Sequence, residues 1–240
     1  MARLSRTQGL VLRIQDYAET DRIAVLLTPD RGRLDLLAKG ARRLERTSGA
    51  ALDLLNLVRV IFYLRRGLAL LREVELLRTF PRIREELERL EEALVGLQWA
   101  RSLAVKGEAD PRPFKLTLQF LEGLERGWPP RLARLAYCLR LLAVAGHGPH
   151  LAGCVACGQA GELFWAPDRG GLLCGRCGGQ GEPLADKVVA TLRGLASLPP
   201  AALPRLQVDE ETQAEVAELL SRFLEAQLAR SEPGWYSNAP

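Results

Sequence analysis

Apolar and polar positions alternate with a period of two along the first third of the chain. In "GLVLRI" the apolar residues Leu10, Leu12 and Ile14 fall on one side, and in "DRIAVLLT" Ile23, Val25 and Leu27 do the same. Such alternation suits strands with one buried face. "TPDRG", from Thr28 to Gly32, carries Pro, Asp and Gly and predicts a tight turn into a third strand, "RLDLLA". "LVRVIFYL" puts Val58, Val60 and Phe62 on one face. After "RRG", the segment "LALLREVELL" completes the set, although "ALLREVELL" also fits a helix. Five short strands without a helix long enough for a crossover predict a small antiparallel barrel or sandwich.

After Phe80-Pro81 the period changes. Ile83, Leu87, Leu90, Leu94 and Leu97 recur at spacings of three and four, predicting one amphipathic helix through "IREELERLEEALVGLQWARSLAV". "FKLTLQFLEGL" predicts a shorter helix ending near Gly127, and Pro129-Pro130 opens another that stops at Gly146. Two more follow, "DKVVATLRGLAS" and "ETQAEVAELLSRFLEAQLAR". The chain therefore reads as multidomain α+β. A strand-built barrel occupies residues 1–80, and an all-α domain occupies 81–240 with a cysteine-bearing insert at 150–181.

That insert holds four of the five cysteines in two CxxC pairs, Cys154/Cys157 and Cys174/Cys177. The spacing matches a four-thiolate zinc site, with "ELFWA" and "GLLC" as strands of an intervening hairpin around "PDRGG". Gly158 and Gly178, each following a pair, would ease the backbone at its knuckle. Four thiolates fill a tetrahedral shell and leave no open position, so one structural Zn2+ is expected rather than a catalytic one. A pair of disulfides is the alternative. His147 and His150 lie nearby but read as loop residues, and Cys138 as a buried thiol within a helix.

Composition narrows the class. Hydrophobic residues are 48% and charged residues 26%, which fits a globular chain, and no apolar run approaches the roughly 18 residues of a bilayer span. "MARLSRTQGLVLRIQD" meets polar residues too early for a signal peptide, so the cytoplasm is expected, where paired cysteines favour metal over disulfide. No Gly-Lys dipeptide, G-x-S-x-G or H-E-x-x-H occurs, and there are two histidines in all. Those absences argue against a zinc-lidded nucleotide enzyme and against acid–base catalysis generally. Charge is uneven: residues 1–80 hold 15 Lys+Arg against 9 Asp+Glu, a balance of +6, and the rest hold 18 against 20.

Much of that excess sits in "AKGARRLERTSGA", where Lys39, Arg42, Arg43 and Arg46 follow the third strand. Alone, the loop fits a solvated connection as well as a phosphate-binding edge. "GLVLR", "DYAETDRI", "LLTPDRGRL" and "AKGARR", together with the later CxxC pairs, resemble the RecO family of recombination mediators. The likeness continues more loosely through "LREVELLRTF", the helices and "LLAVAGHGPHLAGCVACG", and so spans most of the chain.

The resemblance implies an OB-fold N-terminal domain, a helical domain with a zinc knuckle, and no catalytic turnover. It implies binding to single- and double-stranded DNA and annealing of complementary strands. It further implies cooperation with RecR in loading RecA onto DNA coated by single-strand-binding protein, in the cytoplasm at the nucleoid. DNA contact is carried onto Lys39, Arg42 and Arg43, with Arg22 and Arg33 as secondary candidates. Tyr63 faces away from the barrel interior and is a candidate stacking platform, whereas Asp21 and Glu19 shape the first turn. Arg131 and Arg134, beside an apolar helical stripe, are candidates for the acidic C-terminal tail of single-strand-binding protein. A protein-binding adaptor with incidental DNA affinity is the competing reading.

Overall fold

In the computed structural model, which describes residues 3–41, 50–65 and 67–230, strand β1 (Arg3–Tyr17) is long enough to serve two neighbours. Its first half pairs with β4 (Leu57–Leu64) and its second half with β2 (Asp21–Thr28), with Leu10 shared by both ladders. β3 (Gly32–Ala38) follows β2 across the expected turn. β5 (Ala69–Arg78) is a strand, which resolves the ambiguous segment. The order β1-β2-β3-β5-β4 closes into a barrel of OB type, sealed by a short parallel pairing of Leu36 with Ala69 and Leu37 with Leu70.

Val58, Val60 and Phe62 point into the barrel as their alternation predicts. On β1 and β2 the interior face differs from the expected one. The register slips between Val11 and Arg13, so the extra residue Leu12 makes a bulge, and Val11 and Ile14 reach the interior together. On β2 the interior residues are Ala24 and Leu26. Val25 and Leu27, on the outer face, are also buried, at 6% and 1% exposure. Helix α3 (Pro111–Glu125) lies against β1, β2 and β3, so both sides of β2 are dry and its alternation loses its meaning.

The helix expected from Ile83 is broken. α1 (Pro81–Glu85) ends at Glu86, whose φ of −112° and ψ of 115° are extended, and α2 (Leu87–Leu103) starts afresh. Glu125 accepts hydrogen bonds from the backbone N–H groups of Arg82 and Ile83, supplying partners for α1's open N-terminus. The break shifts the phase: α2 buries Ala93, Gly96, Leu97, Trp99 and Ala100, while Leu87 is 71% exposed and Leu94 38%. Gly96 is required by its neighbour, since a Cβ there would lie 2.4 Å from Phe120 Cε1 on α3.

Contacts divide the chain into two compact units, Met1–Pro130 and Arg131–Pro240. The second contains α4 (Pro130–Val144, but for Pro130), the hairpin β6 (Leu163–Ala166) and β7 (Gly171–Cys174), α5 (Asp186–Ser197) and α6 (Glu210–Arg230). Leu135, Cys138, Leu142, Val188, Leu192, Val216, Leu220 and Phe223 fill its interior. Cys138 is fully buried, in keeping with a core thiol. Asp209 caps α6, accepting from the backbone N–H of Thr212 at 2.8 Å.

Candidate functional site

The β6–β7 hairpin places Cys174 at its end and folds it back toward the loop bearing Cys154 and Cys157. Val155 N–H donates to Leu172 O at 2.7 Å and Cys154 N–H to Gln159 O at 2.9 Å, fixing the first knuckle. Gly158 and Gly178 close the two knuckles with φ of 76° and 100°, values that other residues rarely adopt. The four sulfurs of Cys154, Cys157, Cys174 and Cys177 all lie within 4.8 Å of one another, and Cys157 Sγ is 3.8 Å from Cys174 Sγ.

Those separations fit a bound ion. Sulfurs at about 2.3 Å from a tetrahedral zinc sit about 3.8 Å apart, while a disulfide would need about 2.05 Å. All four cysteines are free thiols, against the disulfide alternative. Backbone N–H donors, Cys174 first among them, bring the Cys154 thiol down to about 6. Hydrogen bonding to Cys157, Cys174 and Cys154 pushes Cys177 up to about 12. A cluster that crowds thiolates is stabilised by a divalent ion, and its four donors can hold one metal. Neither histidine joins it. His150 serves through its backbone, donating N–H to Gly170 O and accepting from Leu172 N–H, and His147 N–H caps α4 on Leu142 O.

The knuckle is docked onto its own unit. Trp165 on β6 donates Nε1–H to Leu219 O of α6 at 3.0 Å, and its ring lies 5.5 Å from that of Phe223. Arg193 of α5 donates to Leu151 O and Ala152 O at 2.7 and 3.1 Å. Between knuckle and α5 an open cleft of about 570 Å³ is lined in part by Glu162, Asp186 and Arg193, with no Ser, Cys or His on its walls.

On the barrel, Lys39 is exposed just beyond β3, while Arg42 and Arg43 lie outside the described residues, as does Arg46. Asp21 accepts the Gly40 N–H at 2.8 Å, so it fastens the start of this loop to β2. The secondary candidates each have an acidic neighbour: Arg22 Nε is 3.1 Å from Asp16, and Arg33 Nε 2.9 Å from Asp35. Arg131 is partly buried, its Nε without a hydrogen-bond partner among the described residues. Arg134 is buried, at 7% exposure, not at the rim of an open groove. Sequence reading passed over Arg13, Arg101 and Lys106. Their proximity to Arg33 depends on strand register and on a crossing after α2, which leave no local signal.

Together these features define an OB-barrel protein with a second, helical unit carrying a four-cysteine cluster that can hold a metal ion. Comparison with known proteins supplies the family. The sequence model described as Recombination protein O N terminal matches residues 1–80, and Recombination protein O C terminal matches residues 84–235. The chain is similar to the DNA repair protein RecO of Symbiobacterium thermophilum, 32% identical over 239 residues, covering 95% of this chain and 93% of that one. It is 35% identical over 226 residues to DNA repair protein RecO of Desulforudis audaxviator, covering 90% and 88%. The chain belongs to the RecO family, and its role lies in DNA repair and recombination.

Proposed function

We propose that this protein is a non-catalytic recombination mediator. It binds single- and double-stranded DNA through the barrel and anneals complementary strands. With RecR it assists loading of RecA onto DNA coated by single-strand-binding protein, in the cytoplasm at the nucleoid. The observation that carries this reading is the tandem match to both halves of the RecO family, over residues 1–80 and 84–235. An OB-type barrel with exposed Lys39 at the start of a basic loop supports it, because cations on such an edge can meet successive phosphates. Lys39, Arg42 and Arg43 are the primary contacts of the proposal, with Arg22 and Arg33 secondary.

The ion held by Cys154, Cys157, Cys174 and Cys177 is proposed to be zinc, one per chain. When bound it supplies cross-linking of the knuckle and no chemistry on a substrate, since four thiolates complete its shell. The chain's residues then hold β6 and β7 against α6 through Trp165. Single-strand-binding protein's acidic tail is proposed to reach the second unit near Arg131. Buried Arg134 takes part only if its surroundings open.

Fluorescent complementary oligonucleotides test the central claim. The purified chain should accelerate their pairing well above the spontaneous rate, without nucleotide. No acceleration, together with no DNA binding at low salt, would return the protein to the adaptor class.

A further inference from the structure

Where α2 ends, the chain turns back along the start of β3. Val105 O accepts the Arg33 N–H at 3.1 Å, and Arg31 O accepts the Gly107 N–H at 3.0 Å. That crossing brings Lys106 alongside the start of β3, and α2, whose last turn bears Arg101, packs against β1. Strand register adds Arg13. It pairs with Val25, and Val25 pairs with Asp35, so the three form one row across β1, β2 and β3. Arg33, two positions before Asp35, shares its side of the strand. Beneath the cluster Val25 is sealed at 6% exposure.

Two of these four cations share one carboxylate. Asp35 meets Arg33 Nε at 2.9 Å and Lys106 Nζ at 3.3 Å, and so offsets part of two of them. Arg13 and Arg101 have no carboxylate partner among the described residues. Burial, then the positive charges of Arg13 and Arg33, push the Arg101 guanidinium below the ordinary arginine range. A guanidinium cannot relieve such crowding at neutral pH by losing its proton. A bound anion can relieve it.

We propose that Arg13, Arg33, Arg101 and Lys106 form a phosphate-binding site on the outer face of the barrel that takes the sugar-phosphate backbone of a nucleic-acid strand. The proposal rests on the DNA-binding reading above and adds a second contact to it. Guanidinium forks match phosphodiester oxygens, and no aromatic ring belongs to the cluster, so it grips backbone and reads no base. The site is open to solvent, with the Arg33 side chain 33% exposed and that of Lys106 53%. A single phosphate ion would leave most of these charges unmet, whereas a strand brings several phosphates. The six residues from Arg33 to Lys39 span about 20 Å at about 3.3 Å per residue, roughly three phosphate-to-phosphate steps of one strand at about twice the 3.4 Å axial rise. Both basic loci can therefore hold one strand.

The test uses the full chain with Arg13 and Arg101 changed together to Met, which keeps the apolar stems and removes the charge. Binding of a labelled oligothymidine of about 20 nucleotides is followed by anisotropy between about 50 and 200 mM salt. The double variant should lower the log–log salt slope by about 1.4, two contacts at about 0.7 each, and weaken binding at low salt by tens of fold. Its melting temperature should equal or exceed that of the parent, because crowded like charges have been removed. Arg13→Lys with Arg101→Lys should keep most of the slope. An unchanged slope in the Met variant overturns this site and leaves the loop reading intact, while a parent chain that binds no DNA overturns both. A melting temperature several degrees lower, with binding lost in proportion, marks the arginines as structural and also overturns the site. Inorganic phosphate at constant ionic strength separates the sources. Displacement of the oligonucleotide by millimolar phosphate from the parent, and not from the Met variant, would make this a free-phosphate site and overturn the backbone assignment.

Discussion

Trp165 joins the four-cysteine knuckle to the last helix, and removing it should undock the one without dismantling the other. Three contributions can be separated. The Nε1–H bond to Leu219 O is worth about 1 kcal/mol, since that carbonyl belongs to α6 and keeps its helical partner. The tilted ring pair with Phe223, at 5.5 Å between centroids, adds about 0.5–1.5 kcal/mol. Burial of the half-exposed indole supplies about another 1–1.5 kcal/mol. Trp165→Ala should therefore cost about 3 kcal/mol, near the low end for aromatic truncation. Trp165→Phe retains the ring contact and should cost only about 1 kcal/mol. Urea unfolding gives the size, and amide hydrogen exchange gives the place. Protection should fall over β6, β7 and α6, while barrel amides keep theirs. Metal content should stay that of the parent, because the indole's hydrogen bond and ring contact go to α6 and not to the thiolates. An Ala variant within about 0.5 kcal/mol of the parent would refute the docking, and a Phe variant as weak as Ala would refute the apportionment.

Cys154→Ser or Cys174→Ser should abolish tight metal binding and loosen the knuckle, with DNA affinity per folded molecule largely kept; elemental analysis and thermal melts check this. Because hydrogen bonding to the neighbouring cysteines pushes Cys177 up to about 12, metal binding must expel its proton. Apparent metal affinity should therefore rise at least about tenfold per unit between about pH 6 and 9, and a flat profile in a competition titration would argue against thiolate ligation. Gly96→Ala should destabilise by about 1–2 kcal/mol, because crowding against Phe120 outweighs the helix-propensity gain of about 1 kcal/mol, and Phe120→Leu should recover much of it in chemical denaturation. Replacing Lys39, Arg42 and Arg43 together by Ala should lower the DNA salt slope by up to about 2 and slow annealing, with metal content and melting temperature nearly unchanged. Arg46→Ala should matter less, as should Arg22→Ala, since Arg22 already faces Asp16 at 3.1 Å.

Local patterns carried the parts of this fold that local forces decide. Val58, Val60 and Phe62 alternate and all three face the barrel interior. The two CxxC pairs announced their cluster because each knuckle is set by a few consecutive residues and a glycine. Tertiary contacts hid the rest. The bulge at Leu12 cancels one step of alternation and leaves no compositional mark. Both faces of β2 are apolar because α3 covers the outer one, so period two could not say which face was interior. Glu86 breaks the helix with a residue of good helix propensity, since Glu125 caps α1 from another element. The carboxylates facing Arg22 and Arg33 are near in sequence, at Asp16 and Asp35, yet which charges they met required strand register.

The outer face of β1–β3, covered in part by α3, also bears on how the barrel would meet DNA. An OB barrel that reads bases does so with side chains laid across exposed strands. Here Leu10 and Leu27 are at 0% and 1% exposure, and α3 lies against these strands. Of the N-terminal aromatics, Phe62 and Phe80 are fully buried, which leaves Tyr17 and half-buried Tyr63 as stacking platforms. On the proposed reading, grip must then come from cations: Lys39 with the basic residues that follow it in sequence, and the group formed by Arg13, Arg33, Arg101 and Lys106. Phosphates are the same on every strand, so binding of this kind is strong at low salt and nearly blind to sequence. Two complementary strands differ in sequence unless the site is palindromic. A protein that pairs them must hold both alike, which a surface recognising backbone charge does and a base-reading platform does not.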